Sequence, residues 1–126
     1  MATLSAPFFS WITLAQGPWV GTLPVTLKVI RMRDLVFCTL LNGMTGDFAT
    51  STPVTLTEPL PLAFRPPSDL SFSWPVSNNP SPEHGMFRVT TTGSLIWYSN
   101  ANSGSFAAGI NPVGPFASSV SWPVVN

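Results

Sequence analysis

Residues 25–41 read VTLKVIRMRDLVFCTLL, and this stretch decides the fold class. From Val25 to Arg31, apolar and polar residues alternate with the two-residue period of a half-buried strand. Arg33-Asp34 provides a tight connection, and residues 35–41 read as a second strand, expected to be buried on both faces. Because the stretch is rich in Val, Ile, Thr and Phe, which favour strands over helices, it predicts β-structure.

The rest of the chain indicates the same class. Its 14 prolines and 9 glycines interrupt every other window long enough for a helix. About eight strands separated by turn signals are typical of an all-β, antiparallel, jelly-roll-like β-sandwich, here a single domain over residues 1–126. In the strand at 69–76, Leu70, Phe72, Trp74 and Val76 are expected to face one way. The other strands are predicted at 53–57, 85–91, 94–99 and 116–122.

Turn-forming residues mark the connections. Asn42-Gly43 is a strong turn signal, and Thr92-Gly93 is predicted to turn a hairpin with Gly93 at positive φ. Residues 78–82 and 100–104 read as loops. The segments 43–52 and 107–115 are expected to be exposed or mobile loops.

The low charge and the short apolar runs argue against two classes of function, nucleic-acid binding and membrane insertion. Only 8 % of the residues are charged, against about 25 % in an average soluble domain, and five cations balance five anions. Five scattered cations do not build the basic face that nucleic-acid binding requires. No apolar run of about 18 residues is present, so we expect no membrane insertion. A neutral surface favours association with copies of the chain or with a partner.

Groups that carry chemistry are few, and the sequence predicts no enzyme and no cofactor or metal. Cys38, the only cysteine, lies in an apolar run and is interpreted as a small buried hydrophobe rather than a nucleophile. Glu83 and His84, the only histidine, are neighbours on a strand and are expected to point to opposite faces. One cysteine and one histidine do not make an ordinary transition-metal cluster.

The aromatic residues and Arg65 admit two interpretations each. Most of the five tryptophans and nine phenylalanines are expected to pack in the core or at its rim. Tyr98, Trp122 and Phe116 are the candidates for a subunit interface, since exposed aromatic side chains favour interfaces. Arg65 is interpreted as a structural arginine that binds backbone carbonyls or pairs with Asp69, in preference to a ligand contact.

The second half of the chain carries a pattern of known type. A Leu60-Pro61…Phe64-Arg65-Pro66 entry is followed by Gly85-x-Phe87-x-Val89, by a hairpin at Gly93 and by a serine–aromatic exit at Trp122. This order resembles the C-terminal head domains of viral and phage fibres, which are compact trimeric β-sandwiches of jelly-roll or tumour-necrosis-factor/C1q-like form. The resemblance covers residues 60–122 and carries no catalytic residue.

The resemblance implies a homotrimer at the virion surface that contacts other virion proteins, such as a shaft or capsid, or a host receptor. The function expected is therefore that of a viral structural protein, a fibre-head, spike or capsid-surface domain for host attachment or particle assembly. The alternative is a lectin-like, carbohydrate-binding jelly-roll module that uses exposed tryptophans as its platform. A third hypothesis, an enzyme, would need His84 beside a carboxylate or Cys38 in a pocket.

Overall fold

A computed structural model describes residues 8–14, 19–20, 25–41, 46–48, 51–56, 59–78, 81–107 and 109–124. In these residues the chain forms eleven β-strands and one short 3-10 helix, η1 (Leu62–Phe64). Eight of the strands have four residues or more. The strands are β1 (Phe8–Leu14), β2 (Trp19–Val20), β3 (Val25–Met32), β4 (Leu35–Leu40), β5 (Gly46–Phe48), β6 (Val54–Thr55), β7 (Leu70–Asn78), β8 (Ser81–Val89), β9 (Leu95–Tyr98), β10 (Gly109–Pro115) and β11 (Ser118–Pro123).

The strands form two antiparallel sheets that pack face to face. One has four strands in the order β1-β3-β4-β11, and the other has seven in the order β2-β5-β10-β7-β8-β9-β6. This arrangement confirms the predicted all-β, jelly-roll-like sandwich. Sequence neighbours such as β3 and β4 pair as hairpins, whereas β11 returns from the end of the chain to pair with β4.

The β3–β4 hairpin follows the predicted alternation with one correction. Arg33 and Asp34 form the turn, in which Arg33 has a φ of 58°, and Met32 lies opposite Leu35. Strand β4 is buried on one face only, because the seven-stranded sheet covers only one side of the four-stranded sheet. Leu35 and Phe37 therefore remain 38 % and 40 % exposed.

The β7–β8–β9 meander contains the predicted hairpin at Gly93, which has a φ of +90°. Trp74 and Val76 are buried on β7, as the alternation predicts, and Leu70 and Phe72 pack against the core. The loop predicted at 78–82 is wrong at its ends, because the β7–β8 ladder continues as far as the pair Asn78↔Ser81.

The loop predictions for 107–115 and 43–52 are each wrong in part, because both segments contain a strand. Residues 109–115 form β10, and β5 lies within the segment 43–52. Prolines and glycines suggested loops there, but a strand tolerates proline wherever the ladder does not need that residue's N–H. The predicted turn at Asn42-Gly43 lies outside the described residues. The predicted loop at 100–104 is confirmed, since the Asn100 side chain accepts hydrogen bonds from the Asn102 and Gly104 amides.

The core between the sheets is built around aromatic side chains. Phe87 stacks on Trp97 with ring centroids 4.5 Å apart, and Trp74 meets Trp97 edge-on at 5.6 Å. Phe72 joins this cluster to Trp122 at 6.2 Å. Aromatic pairs at such separations add to the stabilisation that comes from burying their area. Aliphatic side chains from both sheets complete the core, including Leu27, Val29, Val36, Leu40, Val54, Val76, Val89 and Leu95.

Candidate functional site

The Phe64-Arg65-Pro66 motif and Gly93 form one structural unit. Arg65 Nε donates a hydrogen bond to the Leu60 carbonyl at 2.8 Å, and the Leu60 amide donates to the Gly93 carbonyl at 2.9 Å. The structural interpretation of Arg65 is therefore confirmed in its carbonyl form. Asp69 instead lies 3.7 Å from Arg88 and accepts a hydrogen bond from the Thr91 amide. The motif tethers the connection before β7 to the β8–β9 turn.

Trp122 belongs to the core and not to an interface. Its side chain is 1 % exposed, and Nε1 donates a hydrogen bond to the Phe64 carbonyl at 2.8 Å. The prediction that Trp122 contacts another subunit is therefore wrong, because its own chain already covers the ring. Alternation places Trp122 correctly on one face of β11 but does not tell which face the second sheet covers.

The other two candidate interface residues share a face. Tyr98 lies opposite Met86 on the outer side of β8 and β9, where it is half-buried. Phe116 is 37 % exposed and donates its backbone N–H to the Pro75 carbonyl at 2.9 Å. Both residues thus lie along the outer face of the seven-stranded sheet, on opposite sides of the β7–β8 hairpin. Their role in an interface stays a prediction.

An open cavity of about 270 Å³ lies beside Phe116, lined by Pro75, Glu83, His84 and Phe116. Glu83 and His84 lie on opposite faces of β8, as predicted, since Glu83 is opposite the buried Val76 and His84 is opposite the exposed Pro75. Both residues nevertheless border this cavity near the end of the β7–β8 hairpin. The backbone of Phe116 is held on both sides, because its carbonyl accepts a hydrogen bond from Trp74 Nε1 at 2.9 Å. The cavity therefore lies beside an aromatic residue whose backbone is held in place, with Glu83 and His84 at its border.

Cys38 is a core residue, as predicted. Its side chain has no exposed surface, and burial raises the pKa of the thiol, which keeps it protonated. Within the described residues, no group of three His, Cys, Asp or Glu side chains lies close enough together to hold a metal ion. The same part of the chain contains no helix of the length and hydropathy needed to cross a membrane.

A feature that the sequence analysis missed lies on the outer face of the four-stranded sheet. Exposed apolar side chains are adjacent there, because Met32 lies opposite Leu35 and Ile30 lies opposite Phe37. Met32 is 52 % exposed. The signal was present, since a strand that is apolar on both faces in a two-layer sandwich must expose one of them. We call this surface the apolar strip, formed by Ile30, Met32, Leu35, Phe37 and Pro123.

Comparison of the sequence with known proteins does not assign the chain to a family. No model of a known protein family matches the chain. No curated protein matches its sequence either. The fold therefore defines the class, an antiparallel jelly-roll-like β-sandwich, and the function is argued from its surfaces.

Proposed function

We propose that this chain is a viral structural protein, a homotrimeric fibre-head, spike or capsid-surface domain that mediates host attachment or particle assembly. The observation that carries the proposal is the apolar strip, in which Met32, Leu35 and Phe37 are each more than a third exposed on one face of a sheet. The viral setting, the virion-surface location and the threefold number come from the resemblance of residues 60–122 to fibre heads. The proposed occupant of the strip is another copy of this chain.

Charge supports self-association of the strip. None of its five residues is charged. The charged residues nearest to it are Arg31, Arg33 and Asp34 at its hairpin end and Lys28, two positions before Ile30 on the same face of β3. A neutral chain has little net repulsion to keep its copies apart. Closed threefold symmetry would bury one such face in each subunit and avoid open-ended growth. A stable interface would bury about 1,000 Å² or more.

Adding a charge to the strip tests the proposal. We expect Phe37→Lys to lower the solution mass measured by light scattering threefold, because the lysine would be desolvated at the threefold interface. Leu62→Lys is the control, since Leu62 is 79 % exposed in η1, outside the strip, and it should leave the mass unchanged. A wild-type monomer at all concentrations would contradict the proposed assembly.

A second variant separates the two faces of the sandwich. Tyr98→Lys adds a charge to the outer face of the seven-stranded sheet, where the sequence predicted the interface. If the trimer is lost in Tyr98→Lys and kept in Phe37→Lys, the subunit contact lies on that face and the strip is not its site.

The cavity beside Phe116 favours a second candidate, carbohydrate binding. The Phe116 ring can stack on a sugar ring while His84, on the same face of the sheet, hydrogen-bonds a hydroxyl of the sugar. The tryptophan platform first expected is wrong for Trp74, Trp97 and Trp122, which are all buried. We expect a glycan screen to find a hit that Phe116→Ala weakens at least tenfold and that Leu62→Ala leaves unchanged. A screen without hits would remove this candidate.

A further inference from the structure

Strand β11 is an edge of the four-stranded sheet, and the register shows which of its backbone groups face outward. The Val124 amide donates to the Asp34 carbonyl at 2.8 Å, which makes these two residues a hydrogen-bonded pair. In an antiparallel ladder, hydrogen-bonded and non-hydrogen-bonded pairs alternate. Residues 118, 120 and 122 therefore bond to β4, whereas Ser119 and Ser121 direct their N–H and C=O groups away from it.

This edge has only part of the usual protection, a proline at its end and no charged residue. Exposed edge strands are commonly blunted by charged residues, and β11 has none in its sequence SSVSWP. Pro123 occupies a position whose N–H would face outward, so the outward donors of the strand are the amides of Ser119 and Ser121. In the part of the chain that the structure describes, β4 is the only strand that pairs with β11.

We propose that β11 pairs antiparallel with β11 of a second copy across a twofold axis, with Ser119 of one copy opposite Ser121 of the other. Because the two serines are symmetric about Val120, this register gives a partner to every outward N–H and C=O of both residues, with four backbone hydrogen bonds in total. Val120, which is half-buried at the edge of the core, then meets its own symmetry mate. The contact joins two four-stranded sheets into one of eight strands.

This twofold contact does not depend on the proposed threefold contact. Alone it gives a dimer, and together with threefold closure it gives an assembly of six chains. Both assemblies contain an even number of chains, so the mass distinguishes them from an isolated trimer.

Ser121→Pro tests the contact, because it removes an outward donor and none of the hydrogen bonds between β11 and β4. We expect light scattering to give an even number of chains for the wild type and half that mass for Ser121→Pro. Ser121→Val, which keeps the amide and suits a strand, should retain the full mass. Folding of each variant is checked by circular dichroism.

A second variant keeps the test decisive if the proline prevents folding. The double substitution Ser119→Lys with Ser121→Lys retains every backbone donor and places like charges opposite each other across the axis, so it should also halve the mass. An odd number of chains in the wild type, or a mass unchanged in the folded variants, would overturn the twofold contact. A trimer that neither variant alters would overturn it while supporting the proposed function.

Discussion

Gly93→Val is expected to lower the free energy of unfolding by about 2–5 kcal/mol, the sum of two separate costs. A φ of +90° is unfavourable for any residue with a Cβ, by about 1–2 kcal/mol. A Cβ on Gly93 would also lie 2.7 Å from Arg65 Nε and 2.8 Å from the Leu60 carbonyl oxygen, two atoms that are hydrogen-bonded to each other. Forcing them apart adds about 1–3 kcal/mol. Urea denaturation followed by circular dichroism measures the change.

Thr91→Val is the matched control for this substitution. Thr91 lies in the same turn, its side chain is exposed, and its backbone amide donates to the Asp69 carboxylate, a hydrogen bond that valine retains. A surface change of this kind is expected to stay within about 0.5 kcal/mol. If Gly93→Val has the same unfolding midpoint as the wild type, the tether between Leu60, Arg65 and Gly93 is not the arrangement in solution.

Trp122→Ala is expected to cost about 3–5 kcal/mol, because it removes a fully buried ring from the core. The same denaturation experiment applies, with circular dichroism as the signal because the substitution removes a fluorophore. Trp122→Phe separates the ring from its polar atom. It keeps an aromatic side chain but leaves the Phe64 carbonyl without the indole donor, at a cost of about 1–3 kcal/mol.

Leu62→Ala provides the baseline for the tryptophan variants, since Leu62 is apolar and lies 79 % exposed close to the Phe64 carbonyl. Its unfolding midpoint should match the wild type. Equal stability of Trp122→Ala and the wild type would contradict the assignment of Trp122 to the core.

Local patterns in the sequence were sufficient to predict most strands. The alternation at 69–76 and the turn at Thr92-Gly93 depend on residues close in the chain, and both are confirmed. The burial of Cys38 was predictable from the apolar run around it. For Arg65, being held between an aromatic residue and prolines already favoured a bond to a nearby carbonyl.

Features that depend on distant partners were not predictable in this way. Trp122 packs against residues that are distant in the sequence, such as Phe72, and its hydrogen bond goes to Phe64, 58 residues earlier. The exposure of Phe37 depends on which side of β4 the seven-stranded sheet covers, and no local period encodes that choice. The ladder at Asn78↔Ser81 was not predicted because the nearby prolines indicated a loop. A strand tolerates proline at positions where the ladder does not need that residue's N–H.

The return of β11 to β4 has a consequence for how the chain folds. The β3–β4 and β7–β8 pairs are local hairpins, which form within about 1–10 μs. The β4–β11 ladder instead joins residues that are 78 to 88 positions apart, between Ser118↔Leu40 and Pro123↔Leu35. Closing so long a loop costs entropy before any contact repays it, so this step should limit the folding rate. Until it occurs, the core lacks Trp122, and the inner faces of two half-built sheets stay open to aggregation.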